Sequence, residues 1–392
     1  MRLLDPLELA AGTAIGLDPD TAPLPDGGPA DPREALQEVV AAALATPPCR
    51  IAFSGGVDSS VLLAVALDVA RRRGLEPPIP VTNRFAAVAT AQEDSWQELA
   101  IGHLGAPDRW LRLELSDELE LVGAASTELA LEVGGVFWPW NLHFLVPMAD
   151  TAGQGGSLLT GAGGDELFIP AAWGRLIAVL DGRHRPRPRD VPALLGPLAP
   201  PSVRTFVSFA TRRARAPWLT GAANLRFGRR WAAHAGKQPV GWDRVIRRTL
   251  WQSRYVQVML RSSAAVARMT GVEIQHPFLD PRVLRAAAAH YGRSGPPGRT
   301  RGMAALAGDL VPEEILRRRT KASFNGAFWT PATRSFALAA LDWLPPEAEG
   351  LVDRRRLAAA WAEPDPSPAT YSLLQAAWLR RGASERVLEY RG

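Results

Sequence analysis

The sequence has few of the residues that mark several common protein classes. Its 392 residues include a single cysteine, Cys49, which excludes an internal disulfide and a cysteine-rich metal site. The six histidines are scattered without a His-x-x-His pair, so no zinc site is predicted. No apolar run is long enough to cross a bilayer, and the first residues lack the apolar core of a signal peptide. We therefore expect a cytoplasmic protein without a membrane partner.

Lysine is also scarce. Only two of the 45 basic residues, Lys237 and Lys321, are lysines, and the two basic side chains are not interchangeable at reactive sites. The formal net charge of +5 suits an acidic ligand but does not by itself indicate nucleic acid. A Gly-x-x-x-x-Gly-Lys-Ser/Thr string is absent, which excludes a Walker A nucleotide site. Cys49 abuts the first predicted strand, where we expect it to be buried rather than catalytic.

The most informative stretch, Ser-Gly-Gly-Val-Asp-Ser, occupies residues 54–59 and is called here the first glycine loop. Residues 51–53 read as the end of a buried strand, and apolar spacing predicts a helix from Val57 to Arg73. A glycine turn at a helix N-terminus is suited to bind anions. A carboxylate at Asp58 fits beside phosphates if a divalent cation lies between them. The predicted phosphate-binding residues are Ser54, Gly55, Gly56, Asp58 and Ser59.

Strand and helix patterns alternate between residues 48 and 168, which predicts an α/β protein with a doubly wound parallel sheet. The remaining expected strands are 79–85, 110–115 and 157–160, and the expected helices are 32–45, 92–104, 117–132 and 141–152. Ligands bind at the carboxyl ends of strands in such sheets, which is where the glycine-rich turns fall.

Four regions are predicted along the chain. Residues 1–45 form an N-terminal arm that resembles an interdomain linker and is expected to be weakly structured over residues 1–35, and residues 46–173 form the nucleotide-binding part. Residues 174–245 are rich in Arg, Pro and Trp and read as short helices, with the charge runs more typical of a solvated face than of a binding surface. No strand is predicted after Phe168, and residues 246–392 are expected to be mostly helical.

A second glycine loop, Thr-Gly-Ala-Gly-Gly-Asp, occupies residues 160–165. It repeats the arrangement of the first loop, because a buried strand is followed by a glycine-dense turn and then by an acid. Asp58 and Asp165 would stand on neighbouring strand ends, where two carboxylates can hold Mg²⁺ on a triphosphate. We predict Asp58 and Asp165 as metal ligands and catalytic residues, with Thr160 and Gly161 binding the nucleotide.

The two loops resemble those of the asparagine synthetase superfamily, in its synthetase domain, a fold of the adenine nucleotide alpha hydrolase (pyrophosphate-loop) type. Residues 271–280, Gly-Val-Glu-Ile-Gln-His-Pro-Phe-Leu-Asp, resemble a further family segment, with Gln275 where Arg is usual. Residues 310–324 resemble the stretch that carries the catalytic lysine, which places that role on Lys321. The resemblance implies ATP and Mg²⁺ as cofactors, activation of a carboxylate as an acyl-adenylate, and attack by an amine to give an amide, AMP and pyrophosphate.

Two departures from the family pattern bear on the substrate. Asparagine synthetases begin with a glutaminase domain whose nucleophile is a cysteine after Met1, whereas Arg2 stands here, so we expect the amine to come from another source. Ala162 occupies the position of a Glu in asparagine synthetases and of a Tyr in β-lactam synthetases. Together with the long 174–245 insert, Ala162 makes the chain most like the lasso peptide macrolactam cyclases.

That resemblance implies a peptide that supplies both the carboxylate and the amine, with a peptidase or a leader-binding protein as candidate partners. Trp138 and Trp140 either line an acceptor pocket or belong to the core. The alternatives are a small-molecule amide or β-lactam synthetase, an ammonia-dependent asparagine synthetase, and a tRNA-modifying pyrophosphate-loop enzyme. The second glycine loop and the Pro-Phe-Leu-Asp segment do not fit the tRNA enzyme, so nucleic acid is not the expected partner. A scaffold that has lost catalysis is disfavoured by Asp58, Asp165 and Lys321.

Overall fold

The computed structural model describes residues 3–27, 31–116, 119–168, 174–182, 185, 187, 195–196, 199–210, 216–320 and 322–389. Five strands form one sheet: β1 (Cys49–Ala52), β2 (Ile79–Arg84), β3 (Leu111–Glu114), β4 (Ser157–Leu159) and β5 (Glu273–Gln275). Their order is β3-β2-β1-β4-β5, and every neighbouring pair is parallel. The predicted doubly wound α/β fold is therefore confirmed.

Helices cover both faces of the sheet and continue beyond it. In the first half of the chain they are α1 (Pro6–Ala11), α2 (Pro32–Leu44), α3 (Val57–Arg73), α4 (Asp94–Leu104), α5 (Ala124–Val133), α6 (Leu145–Asp150), α7 (Gly164–Leu167) and α8 (Gly174–Leu180). The later ones begin with α9 (Pro201–Ala210), α10 (Gly221–Gly236), α11 (Trp242–Arg244), α12 (Arg254–Thr270), α13 (Pro281–Tyr291) and α14 (Arg299–Ala307). The last are α15 (Glu313–Leu316), α16 (Asn325–Phe328), α17 (Pro331–Ala339), α18 (Arg354–Ala362) and α19 (Tyr371–Glu389). A π-helical segment, Val245–Leu250, joins α11 to the turn before α12.

The sheet separates two apolar layers. On one side α2 and α3 pack together and against α13 and α14, through fully buried side chains such as Leu36, Val61 and Leu284. On the other side α5, α6 and α12 supply Leu129, Val146 and Val266. Sheets covered by helices on both faces bind ligands at the carboxyl ends of their strands, and here the direction of winding reverses between β1 and β4.

The arm expected to be weakly structured is folded, so that prediction was wrong. Asp5 and Glu8 form a reciprocal cap at the start of α1. The Glu8 carboxylate is fully buried and forms ion pairs with Arg230 and Arg254. The apolar face of α1 joins a core shared with α10 and the C-terminal helices, so a charge network and a hydrophobic contact hold the segment together.

Other boundaries differ from the sequence prediction for local reasons. β5 was missed, because three residues are too few to show an alternating pattern and the strand exists through its pairing with β4. The helix expected over 117–132 begins only at Ala124 after the turn at Gly123, and residues 117–118 lie outside the described part. The helix expected over 141–152 divides into a 3₁₀ turn, Leu142–Phe144, and α6.

Candidate active site

The two glycine loops meet at the crevice between β1 and β4. The first loop follows β1 and the second follows β4, so the structure brings together the residues that the sequence predicted to share a site. The contact is close: a Cβ at Gly164 would lie 2.5 Å from Asp58 Cγ, and one at Gly161 would lie 3.1 Å from Ser59 N. Side chains at these positions would hold the loops apart.

The first loop is shaped by its own hydroxyl groups. Ser59 Oγ donates to the Gly56 carbonyl at 3.1 Å and accepts from Ser54 N at 3.3 Å. Gly55 has a φ of +77°, and a Cβ there would lie 2.7 Å from Gln97 Cγ. Ser59 therefore maintains the turn, while Ser54 and Gly56 line the cavity in front of the α3 N-terminus.

Asp58 and Asp165 converge on one cation, the guanidinium of Arg299. Arg299 Nη2 lies 2.6 Å from Asp58 Oδ1, and its Nε lies 2.7 Å from Asp165 Oδ1. The sequence analysis missed Arg299, which is the first residue of α14. A cation at a helix N-terminus is unfavourable because of the helix dipole, so the position of Arg299 in the sequence indicated that a nearby carboxylate must stabilise it.

The two carboxylates fit a magnesium ion that also contacts a nucleotide. Mg²⁺ is commonly held by one or two carboxylates together with substrate phosphates and water. No group of three or more His, Cys, Asp or Glu side chains suited to a metal occurs among the described residues. Asp58 and Asp165 contact two different nitrogens of the same guanidinium, so both carboxylates face a common positive charge, as two ligands of one ion would.

The first cavity has a volume of about 980 Å³ and a strongly basic wall. It is lined by both glycine loops and by Arg299, Arg317, Arg318 and Arg319. The side chain of Arg318 is 3% exposed, donates to the Gly55 carbonyl at 2.9 Å and forms an ion pair with Glu93. Glu93 also accepts from Ala322 N at 2.8 Å. One buried ion pair therefore joins the 318–322 segment to the first loop.

The second cavity adjoins the first, is mostly apolar and has a volume of about 240 Å³. Thr160 lies on its edge, and the Thr160 hydroxyl is 2.6 Å from Nδ1 of His276, whose Nε2 is 2.8 Å from Ser263 Oγ. Burial lowers the pKa of His276 to about 4. His276 is therefore a neutral, doubly hydrogen-bonded group that orients Thr160 at the end of β4.

The third cavity opens on the other side of the second loop and has a volume of about 610 Å³. Its aromatic wall contains Trp138, Trp140 and Tyr255, and it also contains Asp58, Asp165 and Glu166. Trp138 is 5% exposed, so it belongs to the core and also presents an edge to the cavity. Ala162 lines all three cavities, which therefore meet at its methyl group.

Comparison with known proteins identifies the family. The family model for asparagine synthase matches residues 31–381. The chain belongs to the asparagine synthase family. Members of this family are ATP-dependent ligases that form carbon–nitrogen bonds, and the chain is an ATP-dependent amide-forming synthetase. A search of curated protein sequences finds no match. Within the described residues, no helix is long and apolar enough to cross a membrane.

Lys321, to which family resemblance assigns the catalytic lysine, lies outside the described residues. Its sequence neighbours Thr320 and Ala322 both line the first cavity. Arg318 Nε donates to Thr320 Oγ1 at 3.2 Å, and Thr90 and Ser323 exchange hydrogen bonds on the far side. The catalytic role of Lys321 remains a prediction.

The other family positions have structural explanations. Asp280 caps α13 by accepting from Arg282 N, and Gln275, in β5, donates to Glu273 Oε1 at 2.7 Å. Cys49 is buried, and burial raises the pKa of its thiol to about 11, as expected for an inert core residue.

Proposed function

We propose that this synthetase activates a carboxylate of a peptide with Mg-ATP, as an acyl-adenylate, and closes a macrolactam with the peptide's own N-terminal amine, as in the lasso peptide cyclases. AMP and pyrophosphate are the other products. The observation that supports the proposal most is the meeting of two acid-bearing glycine loops at the strand-order reversal, in front of a basic cavity. ATP use and amide formation follow from the family, whereas the substrate is our inference.

The first cavity suits the adenylation step. Attack of a carboxylate on the α-phosphorus adds negative charge to that phosphate and to the departing pyrophosphate. The arginine-rich wall and the α3 N-terminus place positive potential beside that charge before the reaction begins. Mg²⁺ held by Asp58 and Asp165 would supply further positive charge to the pyrophosphate oxygens. In this proposal the ammonium group of Lys321 neutralises the negative charge on the α-phosphate.

The third cavity supports an acceptor that is larger than ammonia. A side chain longer than alanine at position 162 would fill space where the three cavities adjoin. The third cavity is lined there by the aromatic rings of Trp138, Trp140 and Tyr255. Indole and phenol side chains provide apolar area with one polar edge, which suits peptide backbone and side chains. Ammonia is about the size of a water molecule, so a cavity of about 610 Å³ is larger than that acceptor needs.

The experiment is a comparison of acyl acceptors and donors with Mg-ATP, monitored by AMP and pyrophosphate release. The first substrate is a linear peptide with a free N-terminal glycine and an internal Asp or Glu, and the second is aspartate with ammonium. The proposal predicts AMP, pyrophosphate and a peptide product that is one water lighter. As a control, the peptide reaction is repeated with the same peptide acetylated at its N-terminus, which should form no lactam.

The outcomes separate the alternatives. Asparagine formed from aspartate and ammonium would replace the macrolactam proposal with an asparagine synthetase. Lactam formed only after addition of a peptidase or a leader-binding protein would support the proposal and identify the partner. Salt-sensitive tRNA binding with no peptide turnover would favour the tRNA-modifying alternative. Absence of ATP binding would contradict the nucleotide site itself.

A further inference from the structure

We propose that helix α9, together with the basic segment around it, binds an anionic lipid surface. The feature that carries the proposal is the outward face of α9. Val203, Phe206 and Val207 are 47%, 70% and 51% exposed, and Ala210 is exposed as well. These four positions have the i, i+3, i+4, i+7 spacing of a single helix face, so the outward face is apolar. The inference goes beyond the proposed function and does not depend on the identity of the substrate.

Polar side chains of α9 lie on the face that packs against α10. Arg204 Nη1 donates to the carbonyl of Gln238, just after α10, at 3.2 Å, and a Cβ at Gly236 would lie 2.3 Å from Thr205 Oγ1. Arg204 and Thr205 are both half-buried. A surface helix of a globular protein normally turns its charged and polar residues toward the solvent. An exposed apolar patch beside polar residues marks an interaction site, so the outward face of α9 is suited to contact another surface.

The charge of the surrounding segment indicates the sign of that surface. Residues 174–245 contain 14 Arg and Lys against three Asp and no Glu, which gives the segment a net charge of +11. The net charge of the whole chain is +5, so the rest of the chain carries −6. Arg226 and Arg229 are exposed on α10, the helix against which α9 packs. Such a charge asymmetry is typical of chains that bind nucleic acid or an anionic membrane.

The chemistry of the apolar face separates these two ligands. Single-stranded nucleic acids bind to aromatic side chains on which successive bases stack, whereas three of the four outward residues of α9 are aliphatic. Duplexes are held mainly by charged and polar groups at their phosphates, where an aliphatic face makes no favourable contact. At a lipid surface, by contrast, apolar side chains are buried at the boundary with the acyl chains while neighbouring arginines contact anionic headgroups. The outward face of α9 therefore favours lipid.

The size of the face favours lipid over a protein partner as well. Helix α9 has ten residues and is about 15 Å long and about 10 Å wide. A stable protein interface buries about 800 Å² on each partner, several times what one face of such a helix presents. A lipid surface needs less apolar area, because attraction to anionic headgroups adds to the binding energy. The helix is too short to cross a bilayer, so it would lie in the plane of the membrane surface.

The sequence analysis expected a solvated face in this segment and no membrane partner. That expectation rested on the runs of charge and on the lack of a long apolar run. In the sequence the four outward residues are interrupted by Arg204, Thr205 and Ser208, so no apolar patch is apparent. The patch exists only because α9 packs on α10 through those polar residues.

The first test measures binding of the full chain to lipid vesicles by flotation. One set of vesicles is an equal mixture of phosphatidylglycerol and phosphatidylcholine, and the other is phosphatidylcholine alone. We expect binding to the mixed vesicles that declines with added salt, and much weaker binding to phosphatidylcholine. Phe206→Ser should weaken binding to the mixed vesicles about tenfold or more. Leu131→Ser, on α5, is the matched control, because Leu131 is 55% exposed and lies outside the basic segment.

The charge contribution is tested in the same way. Arg226→Gln with Arg229→Gln should weaken binding to the mixed vesicles about tenfold and make it less sensitive to salt. Arg354→Gln with Arg355→Gln removes two exposed charges from α18 and should leave binding unchanged. Equal losses from the two pairs would show that only the overall charge matters, which contradicts a docking face on α9 and α10.

The second test locates the contact on the protein. Cys49 is the only cysteine in the chain and is buried, so a cysteine introduced at the surface can be labelled selectively. Val203→Cys carries acrylodan, a dye whose emission moves to shorter wavelength in an apolar environment. We expect that shift when the mixed vesicles are added, and no shift from the same dye on Leu131→Cys. Equal shifts at the two positions would contradict the assignment to α9.

Three other results would overturn the proposal. The first is that the unsubstituted protein does not bind the mixed vesicles, or that Phe206→Ser binds them equally well. The second is self-association without vesicle binding, measured by sedimentation and abolished by Phe206→Ser, which would assign the face to a second copy of the chain. The third is salt-sensitive binding to single-stranded RNA without vesicle binding, which would assign the basic segment to nucleic acid.

Discussion

The first and third cavities share Asp58, Gly161 and Ala162, yet they are built in different ways. Short runs of neighbouring sequence supply most of the first cavity, namely the two glycine loops and residues 299–300, 317–320, 322 and 324. The third cavity collects residues from distant parts of the chain, from Gly12 and Thr13 through Trp138 and Tyr255 to Ala369. The proposed nucleotide site can thus be recognised as a motif, whereas the proposed acceptor site appears only when the chain is folded.

The largest effect should come from Asp58 and Asp165, the two carboxylates that contact Arg299. Asp58→Asn and Asp165→Asn keep the size of each side chain but remove a charge, so we expect pyrophosphate release to fall on the order of a thousandfold. Asp280→Asn is the matched control, because asparagine also caps helices and Asp280 lines neither cavity. Near-normal pyrophosphate release by either loop variant would refute the two-carboxylate metal site.

A second variant tests whether the first cavity depends on its buried ion pair. Arg318→Ala leaves the Glu93 carboxylate, which is 8% exposed, without its cation, and should lower the free energy of unfolding by about 3–5 kcal/mol. Arg317→Ala removes only an exposed pair with Glu313 and should cost about 0.3–0.5 kcal/mol. Chemical denaturation measures both.

The double variant Arg318→Met with Glu93→Gln sharpens the result. Removal of both charges should recover much of the stability. ATP binding should be weak in both variants, because the hydrogen bond from Arg318 to the Gly55 carbonyl of the first glycine loop is lost. Recovery of nucleotide binding together with stability would show that the ion pair has no part in the site.

A third variant tests the close contact between the loops. A methyl group at Gly164 would lie 2.5 Å from Asp58 Cγ and 2.7 Å from Met303 Cε, so Gly164→Ala should cost about 1–3 kcal/mol of stability and reduce ATP affinity. Gly102→Ala places the same methyl group in α4 with nothing within 4 Å, and should stabilise by about 0.5–1 kcal/mol. Equal melting temperatures for the two variants would contradict the packing argument.

The smallest effect at neutral pH concerns His276, between the second cavity and the core. Its pKa is about 4 in the folded protein against an ordinary value of 6.5, so the unfolded chain binds a proton first as the pH falls. Stability is full above pH 6.5 and declines toward pH 4, by about 3 kcal/mol from this residue. His143 has a similar pKa and adds to the slope. His276→Gln should flatten the pH dependence of the melting temperature, and an unchanged slope would contradict this account.

The sequence predicted the sheet and the two loops because these depend on local signals: apolar strands, glycine turns and the acids that follow them. It also contained the start signal of α1, in which Asp5 precedes Pro6 and Glu8 follows three residues later, although that signal was not recognised. The position of Arg299 at a helix N-terminus indicated that it needed a partner, but its two carboxylate partners are distant in the chain and could not be identified from the sequence. β5 depends likewise on its partner strand.

The central claim is that the carboxylate is activated as an acyl-adenylate in the first cavity. The most direct measurement uses the linear peptide with heavy oxygen in the reacting carboxylate, followed by mass analysis of the nucleotide product. The account predicts AMP that carries one heavy oxygen atom and pyrophosphate that carries none. ADP with labelled inorganic phosphate, or AMP without label beside a completed lactam, would contradict it.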